Sequence, residues 1–183
     1  GRERKRGALL DFCALLRGDA SAFAHVTEGI PQGIRYVITL DADTELQRDA
    51  AVRMEGAMAH PLHRPAVDEA TRTVKRGHAL MQPRTGIDVV SASQTRFSLV
   101  SSGKAGLDTY SGAASDVYQD NFGTGIYTGK GIFDLDVYVR VLKGTFPDNR
   151  ILSHDLLEGS YLRCALLSDV VLMDRFGGCI ISF

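Results

Sequence analysis

Hydrophobic positions along this chain recur with two different periods, and the switches between them mark out its elements. Leu9, Leu10, Phe12, Cys13 and Leu16 follow helical spacing, and Gly18 can close that helix in a left-handed conformation, which predicts a helix over residues 7–17. Tyr36, Val37, Ile38, Thr39 and Leu40 form a continuous β-branched and aromatic run, the pattern of a strand buried on both faces as in a parallel sheet. In "TELQRDAAVRMEGAMAHP", Ala50, Ala51, Met54, Ala57 and Met58 fall on one helical stripe that Pro61 ends. Residues 62–76 are polar and mixed in charge and read as a loop, and "HALMQP" reads as a short strand stopped by Pro83. Residues 86–112 are small and polar, with Phe97, Leu99 and Val100 as their apolar anchors.

"SDVYQDNFGTGIYTGKGIFDLDVYVRVL" predicts a helix, a glycine-rich centre and a second helix or strand from near Asp134. Ser153 stands at an N-cap position, and "HDLLEGSYLRCALL" offers Leu156, Leu157, Tyr161 and Cys164 as the apolar face of one more helix, before "DVVLM" as a strand. Strands alternating with helices, without an internal repeat, predict an α/β domain.

A chain of 183 residues, 44% hydrophobic and 23% charged, fits one soluble globular domain. Its formal net charge of -1 leaves no footprint for nucleic acid, although Arg2-Glu3-Arg4-Lys5-Arg6 is locally basic. Cys13, Cys164 and Cys179 lack metal-ligand spacing, and their odd number argues for reduced thiols. No apolar run approaches the roughly 20 residues that cross a bilayer, and no signal peptide opens the chain. A charged run leading straight into a helix at one end, and an apolar stretch over residues 176–183 at the other, suggest a piece of a longer chain.

Asp41 and Asp43 follow the apolar run directly. Ligands gather outside the carboxyl ends of strands in open α/β sheets, so a carboxylate pair there is a candidate site. The pair can supply hard oxygen ligands to Mg²⁺ or Mn²⁺ on a diphosphate, or Asp41 can reach a ribose hydroxyl. Alternatively, Asp43 starts the following helix, where a carboxylate favours the free N–H groups. Haloacid-dehalogenase-like phosphatases also end a strand on D-x-D, with the first Asp as nucleophile, but Glu45 stands where their pattern has Thr or Val. "GTGIYTGKG", residues 123–131, lacks the spacing and the hydroxyl of a phosphate-binding P-loop, yet four glycines in nine residues mark a bent backbone, either a plain turn or a place where a sugar or phosphate approaches closely. His154-Asp155 opens a helix, where Asp155 is either a cap or a general base.

Taken in order, "KRGALLDF", "YVITLDADTEL", "AMAHPLHRP", "LMQPRTGI", "SDVYQDNFGTGIYTGKGIFDLD" and "FPDNRILSHDLLEGSYLR" resemble the glycosyltransferase domain of cyclic β-1,2-glucan synthases over residues 4–173. The resemblance implies part of a GT-A fold, a Rossmann-like, mostly parallel sheet flanked by helices. It implies a single domain over residues 1–183 that lacks the N-terminal nucleotide-binding strands and the C-terminal end. The implied activity is inverting transfer from UDP-glucose to a growing β-1,2-glucan acceptor, with Mg²⁺ or Mn²⁺ on Asp41 and Asp43 and Asp155 as general base. Lys5 and Arg6, with Gly7, match the segment near the nucleotide. Gly129 and Lys130 fall in the stretch lining donor sugar and acceptor, and Gln82 and Arg84 match a strand end beside the site. The implied setting is a larger membrane-embedded parent, with this piece at the cytoplasmic face of the bacterial inner membrane and no nucleic-acid partner. A phosphatase and a non-catalytic sugar-nucleotide-binding remnant are the alternatives.

Overall fold

The computed structural model describes residues 4–26, 29–87, 113–147, 151 and 153–174. Phe97, Leu99, Val100, Cys179 and the apolar stretch at 176–183 lie outside the described residues. Five strands build the main sheet: β1 (Tyr36–Thr39), β2 (Thr44–Glu45), β5 (Leu80–Ile87), β6 (Gly131–Asp134) and β7 (Cys164–Asp174), in the order β1-β6-β5-β7-β2. Only β5 and β7 run parallel; β1 with β6, β5 with β6 and β2 with β7 are antiparallel. The α/β class stands, whereas the expected mostly parallel, Rossmann-like sheet is replaced by a mixed, mostly antiparallel one. An apolar run records that a strand is covered, but not the direction of its neighbours.

The side chains of this sheet alternate between two apolar layers. Leu80, Phe133 and Cys164 join one cluster with Cys13 of α1 (Arg4–Leu16), Tyr138, Val141 and Leu142 of α4 (Leu135–Leu142) and Leu162 of α5 (His154–Leu162). Their sequence neighbours Met81, Ile132 and Ala165 join the other, with Ala50, Met54 and Met58 of α2 (Ala50–Ala59). The period of two along a strand is thus what separates the layers. In β1, Val37 packs against the first cluster, and Tyr36 and Ile38 against the second. Both faces of β1 meet the core as expected, but β1 is an edge strand among the described residues, so these three side chains are half-buried and only Thr39 is buried. The thiols of Cys13 and Cys164 are free and buried; burial, helped by the nearby Glu158 charge, pushes Cys13 up to about 12.

Several local expectations give way to tertiary pairing. Residues 62–76 are not a plain loop: a 3₁₀ turn, Pro61–His63, leads into a hairpin of β3 (Ala66–Asp68) and β4 (Thr73–Arg76). Its polar composition serves the turn, where Asp68 accepts from the Ala70 N–H and the Thr71 hydroxyl, both at 3.0 Å. Pro83 does not stop β5, because it sits where the register with β7 shifts from Leu167 to Val171, and a proline is tolerated at such an irregularity. Cys164 is not on a helical face. Arg163 adopts a left-handed conformation (φ 52°), ends α5 and lets β7 begin at Cys164. Leu156 is accordingly exposed, while Glu158 and Gly159 are the buried residues of that helix, with Leu162. The helix in "SDVYQDNF" is α3 (Ala113–Phe122).

His63 and His78 join the hairpin to the rest of the fold. The His63 ring Nδ1 donates to the Ala57 carbonyl and that of His78 to the Arg163 carbonyl, both at 2.8 Å, and the two rings meet edge-on with centroids 5.7 Å apart. Burial pushes His78 below its ordinary value of 6.5; the hydrogen bond to Arg163 opposes this, and the Arg163 and His63 charges add to it. The folded state therefore favours the neutral ring. This stabilisation is complete above about pH 6.5 and is lost as the pH falls through the lower folded value. We expect the melting temperature to drop between pH 7.5 and pH 5, and His78→Gln to flatten that drop, as differential scanning fluorimetry across the range would read.

Candidate functional site

The chain leaves β1 at Leu40 and turns through Asp41, Ala42 and Asp43, closed by the Thr44 N–H donating to the Asp41 carbonyl at 3.1 Å. Asp43 does not start a helix, since α2 begins at Ala50 behind an Asp49 N-cap; it stands exposed on the turn. Thr44 pairs with Asp174 at the end of β7, and its hydroxyl donates to Asp174 Oδ1 at 2.6 Å. Lys130 completes the group. Its Nζ lies 2.5 Å from Asp174 Oδ2 and 3.6 Å from Asp41 Oδ2, and only 12% of the side chain is exposed. Burial works against the ammonium ion, but the bond to Asp174 and the charges of Asp174, Asp41 and Asp43 outweigh it and hold Lys130 above the ordinary lysine value.

Lys130 is delivered to this point by the glycines on either side. A Cβ on Gly131 would stand 2.2 Å from the Met81 carbonyl oxygen, so only glycine lets β6 lie this close to β5. Gly129 has φ +93°, and a Cβ there would meet the Asp155 carboxylate, with Oδ2 at 3.2 Å. Consecutive residues of the loop thus lie beside Asp155 and beside Asp41. The preceding loop is fixed from below by Gln82, which is buried and does not line an open site. Its Oε1 accepts from the Thr128 N–H (3.0 Å) and hydroxyl (3.2 Å), and its Nε2 donates to the Pro83 carbonyl. Tyr127, also buried, shares a hydrogen bond of 3.1 Å with Thr39 at the end of β1.

Asp155 occupies the first turn of α5, where Ser153 is the N-cap residue without a side-chain cap bond. Arg6, buried in α1, places Nη1 3.4 Å from His154 Nδ1, next to Asp155, and its guanidinium lies 5.1 Å from the Phe146 ring centroid. Lys5 belongs to the same turn of α1; its side chain lies outside the described residues. Arg84 is turned elsewhere and pairs with Asp116 of α3. The structure thus gathers Asp41, Asp43, Gly129, Lys130 and Asp155, sets Arg6 behind Asp155, and leaves Gln82 and Arg84 as supports of the surrounding loop and helix. A cleft of about 710 Å³ between α1 and α4 takes in Arg6, Asp19, Lys143 and Phe146, but it is lined by none of Asp41, Lys130 and Asp155, and so is separate from the carboxylate cluster.

Thr44 and Asp174 were not legible as members of the site, although Asp174 ends the "DVVLM" strand as Asp41 follows β1, and that shared pattern is the signal that would have found it. Among the described residues, no three His, Cys, Asp or Glu side chains form a group able to hold a metal ion unaided. Asp41 and Asp43 supply two carboxylates. That is the donor set of a Mg²⁺-type ion bound by one or two carboxylates and otherwise by water and phosphate oxygens, so the residues fit an ion that arrives with a diphosphate.

No protein-family model matches the chain. Over 178 residues, 96% of its length, it is 43% identical to the cyclic beta-(1,2)-glucan synthase NdvB of Rhizobium meliloti (strain 1021), of which it spans 6%. The chain is therefore homologous to a short segment of a much larger synthase chain. No helix among the described residues is long and apolar enough to cross a membrane.

The two glycines that flank Lys130 should differ in cost. Gly131→Ala drives a methyl group into a backbone carbonyl of the adjacent strand and should destabilise the fold by about 3 kcal/mol or more. Gly129→Ala meets the movable end of a side chain at an unfavourable φ and should cost about 1–3 kcal/mol. Urea unfolding of both variants checks the order.

Proposed function

We propose that this segment forms the catalytic heart of a glucosyltransferase, part of a GT-A-type domain that passes glucose from UDP-glucose, with inversion, to the 2-hydroxyl of a growing β-1,2-glucan. The observation that carries the reading is that consecutive residues, Gly129 and Lys130, lie beside the Asp155 carboxylate and the Asp41 cluster respectively. Homology to a segment of a cyclic β-1,2-glucan synthase supports it, and favours a synthase-derived reading over a phosphatase.

On this reading Asp155 is the general base. A carboxylate in the first turn of a helix is favoured as the anion by the N–H groups around it, and it can take the proton from the acceptor hydroxyl as that oxygen attacks the anomeric carbon. Gly129 leaves space beside the carboxylate that any side chain would fill. Asp41 and Asp43 would hold a Mg²⁺ or Mn²⁺ ion, which when bound would supply positive charge to the leaving diphosphate. Arg6 steadies His154, and through it the turn that carries Asp155. The reading places the segment in a larger membrane-embedded protein, at the cytoplasmic face of the inner membrane, where the donor nucleotide is made.

Two measurements test it. Calorimetry should find UDP bound in Mn²⁺ or Mg²⁺ and not in chelator; equal affinity in both would remove the metal from the reading. With this segment grafted in place of its homologous stretch in the Rhizobium synthase, Asp155→Asn should keep the melting temperature, because Asn caps helices about as well as Asp. Transfer of radiolabelled glucose should fall by roughly 10²- to 10⁴-fold, the usual loss for a general base. Near-normal transfer would reduce Asp155 to a cap.

A further inference from the structure

Lys130 raises a question that the transfer reaction alone does not answer. A cation already sits among the carboxylates that would receive a divalent ion: Nζ is 3.6 Å from Asp41 Oδ2, with Asp43 on the same turn. An ammonium and a metal ion cannot both hold the same oxygen at close range. Yet Lys130 has a second, closer holder. Asp174 Oδ2 is 2.5 Å away, and Asp174 is itself fixed, since its other oxygen accepts from Thr44 and its backbone pairs with Thr44 across β2 and β7. The flanking glycines fix where Lys130 leaves the backbone, so its freedom lies in the side chain.

We propose that Lys130 is a displaceable counter-ion: held by Asp174, it is shared with Asp41 in the ligand-free protein and is left to Asp174 alone when a divalent ion takes Asp41. Asp174 is then a positioning residue whose role is to keep the ammonium ion at hand and out of the metal's way. The inference rests on the proposed metal role of Asp41. The arrangement sets one positive charge against the three carboxylates of Asp41, Asp43 and Asp174, which lessens their repulsion before substrate arrives. It also keeps Lys130, 3.6 Å from Asp41, where its ammonium ion can face an incoming phosphate oxygen.

The test is a double-mutant cycle read by Mn²⁺ binding without nucleotide, using electron paramagnetic resonance of the free ion on the full 183-residue chain. Lys130→Met should bind Mn²⁺ about tenfold more tightly than wild type, a difference of about 1.4 kcal/mol, and Lys130→Arg should resemble wild type. Lys130→Gln replaces the methionine variant if circular dichroism shows that the latter does not fold. Asp174→Asn should weaken Mn²⁺ binding when Lys130 is present, because the ammonium ion then has only Asp41 to hold, and should have little effect in the Lys130→Met background. Mere loss of a negative charge would weaken binding equally in both backgrounds, and that result overturns the proposal. So does Mn²⁺ affinity in Lys130→Met no tighter than wild type while Asp41→Asn abolishes binding, an outcome that leaves the metal role of Asp41 standing. Absence of Mn²⁺ binding in wild type and Lys130→Met alike would sink both.

Discussion

The close approach of β6 to β5 at Gly131 is the constraint from which the rest of the site follows. With the Met81 carbonyl where a Cβ would stand, the backbone enters the sheet at a point no side chain permits. From there Ile132 and Phe133 fall into opposite apolar layers, and Asp134 caps α4 by accepting from the Val137 N–H at 3.1 Å. On the other side of Gly131 the same entry fixes Lys130 against the ends of β1 and β7. A fold decision and a chemical one are thus made by a single missing methyl group.

Polar groups of the loop that leads to this entry find partners inside the fold, and these keep the loop in place. Gln82 satisfies the Thr128 N–H and hydroxyl from inside the sheet, the Gly125 N–H donates to the Cys164 carbonyl at 2.6 Å, and the Thr124 hydroxyl reaches the same carbonyl at 3.2 Å. A loop rich in glycine would cost much backbone entropy to order, and these bonds, each worth about 1 kcal/mol net, offset part of it. The polar character of "GTGIYT" is therefore a matter of anchoring as much as of ligand approach.

Much of the fold was legible because it rests on local periodicity. The stripe of Met54 and Met58, the run in β1 and the Gly18 stop after α1 all reflect side chains meeting a core at regular spacing. What the sequence hid depends on partners remote along the chain. Strand direction is set by which segments become neighbours; the continuation of β5 through Pro83 needs the register shift of β7; and the break between α5 and β7 at Arg163 carries no glycine to mark it. The site followed the same division. Asp41, Asp43 and Asp155 stood out by position after a strand or before a helix, whereas the inward turn of Gln82, the pairing of Arg84 with Asp116 and the tie of Thr44 to Asp174 are long-range contacts.

The one-residue junction at Arg163 also has a mechanical meaning. From His154 to Asp174 the chain is a helix joined to a strand with no slack between them, and the strand pairs with β5 on both sides of its register shift. Asp155 opens the helix and Asp174 ends the strand, yet the turn at Arg163 leaves the first beside Gly129 and the second on Lys130. A tilt of α5 is therefore carried through that turn into β7, which couples Asp155 by one unbroken segment to the residue that holds Lys130.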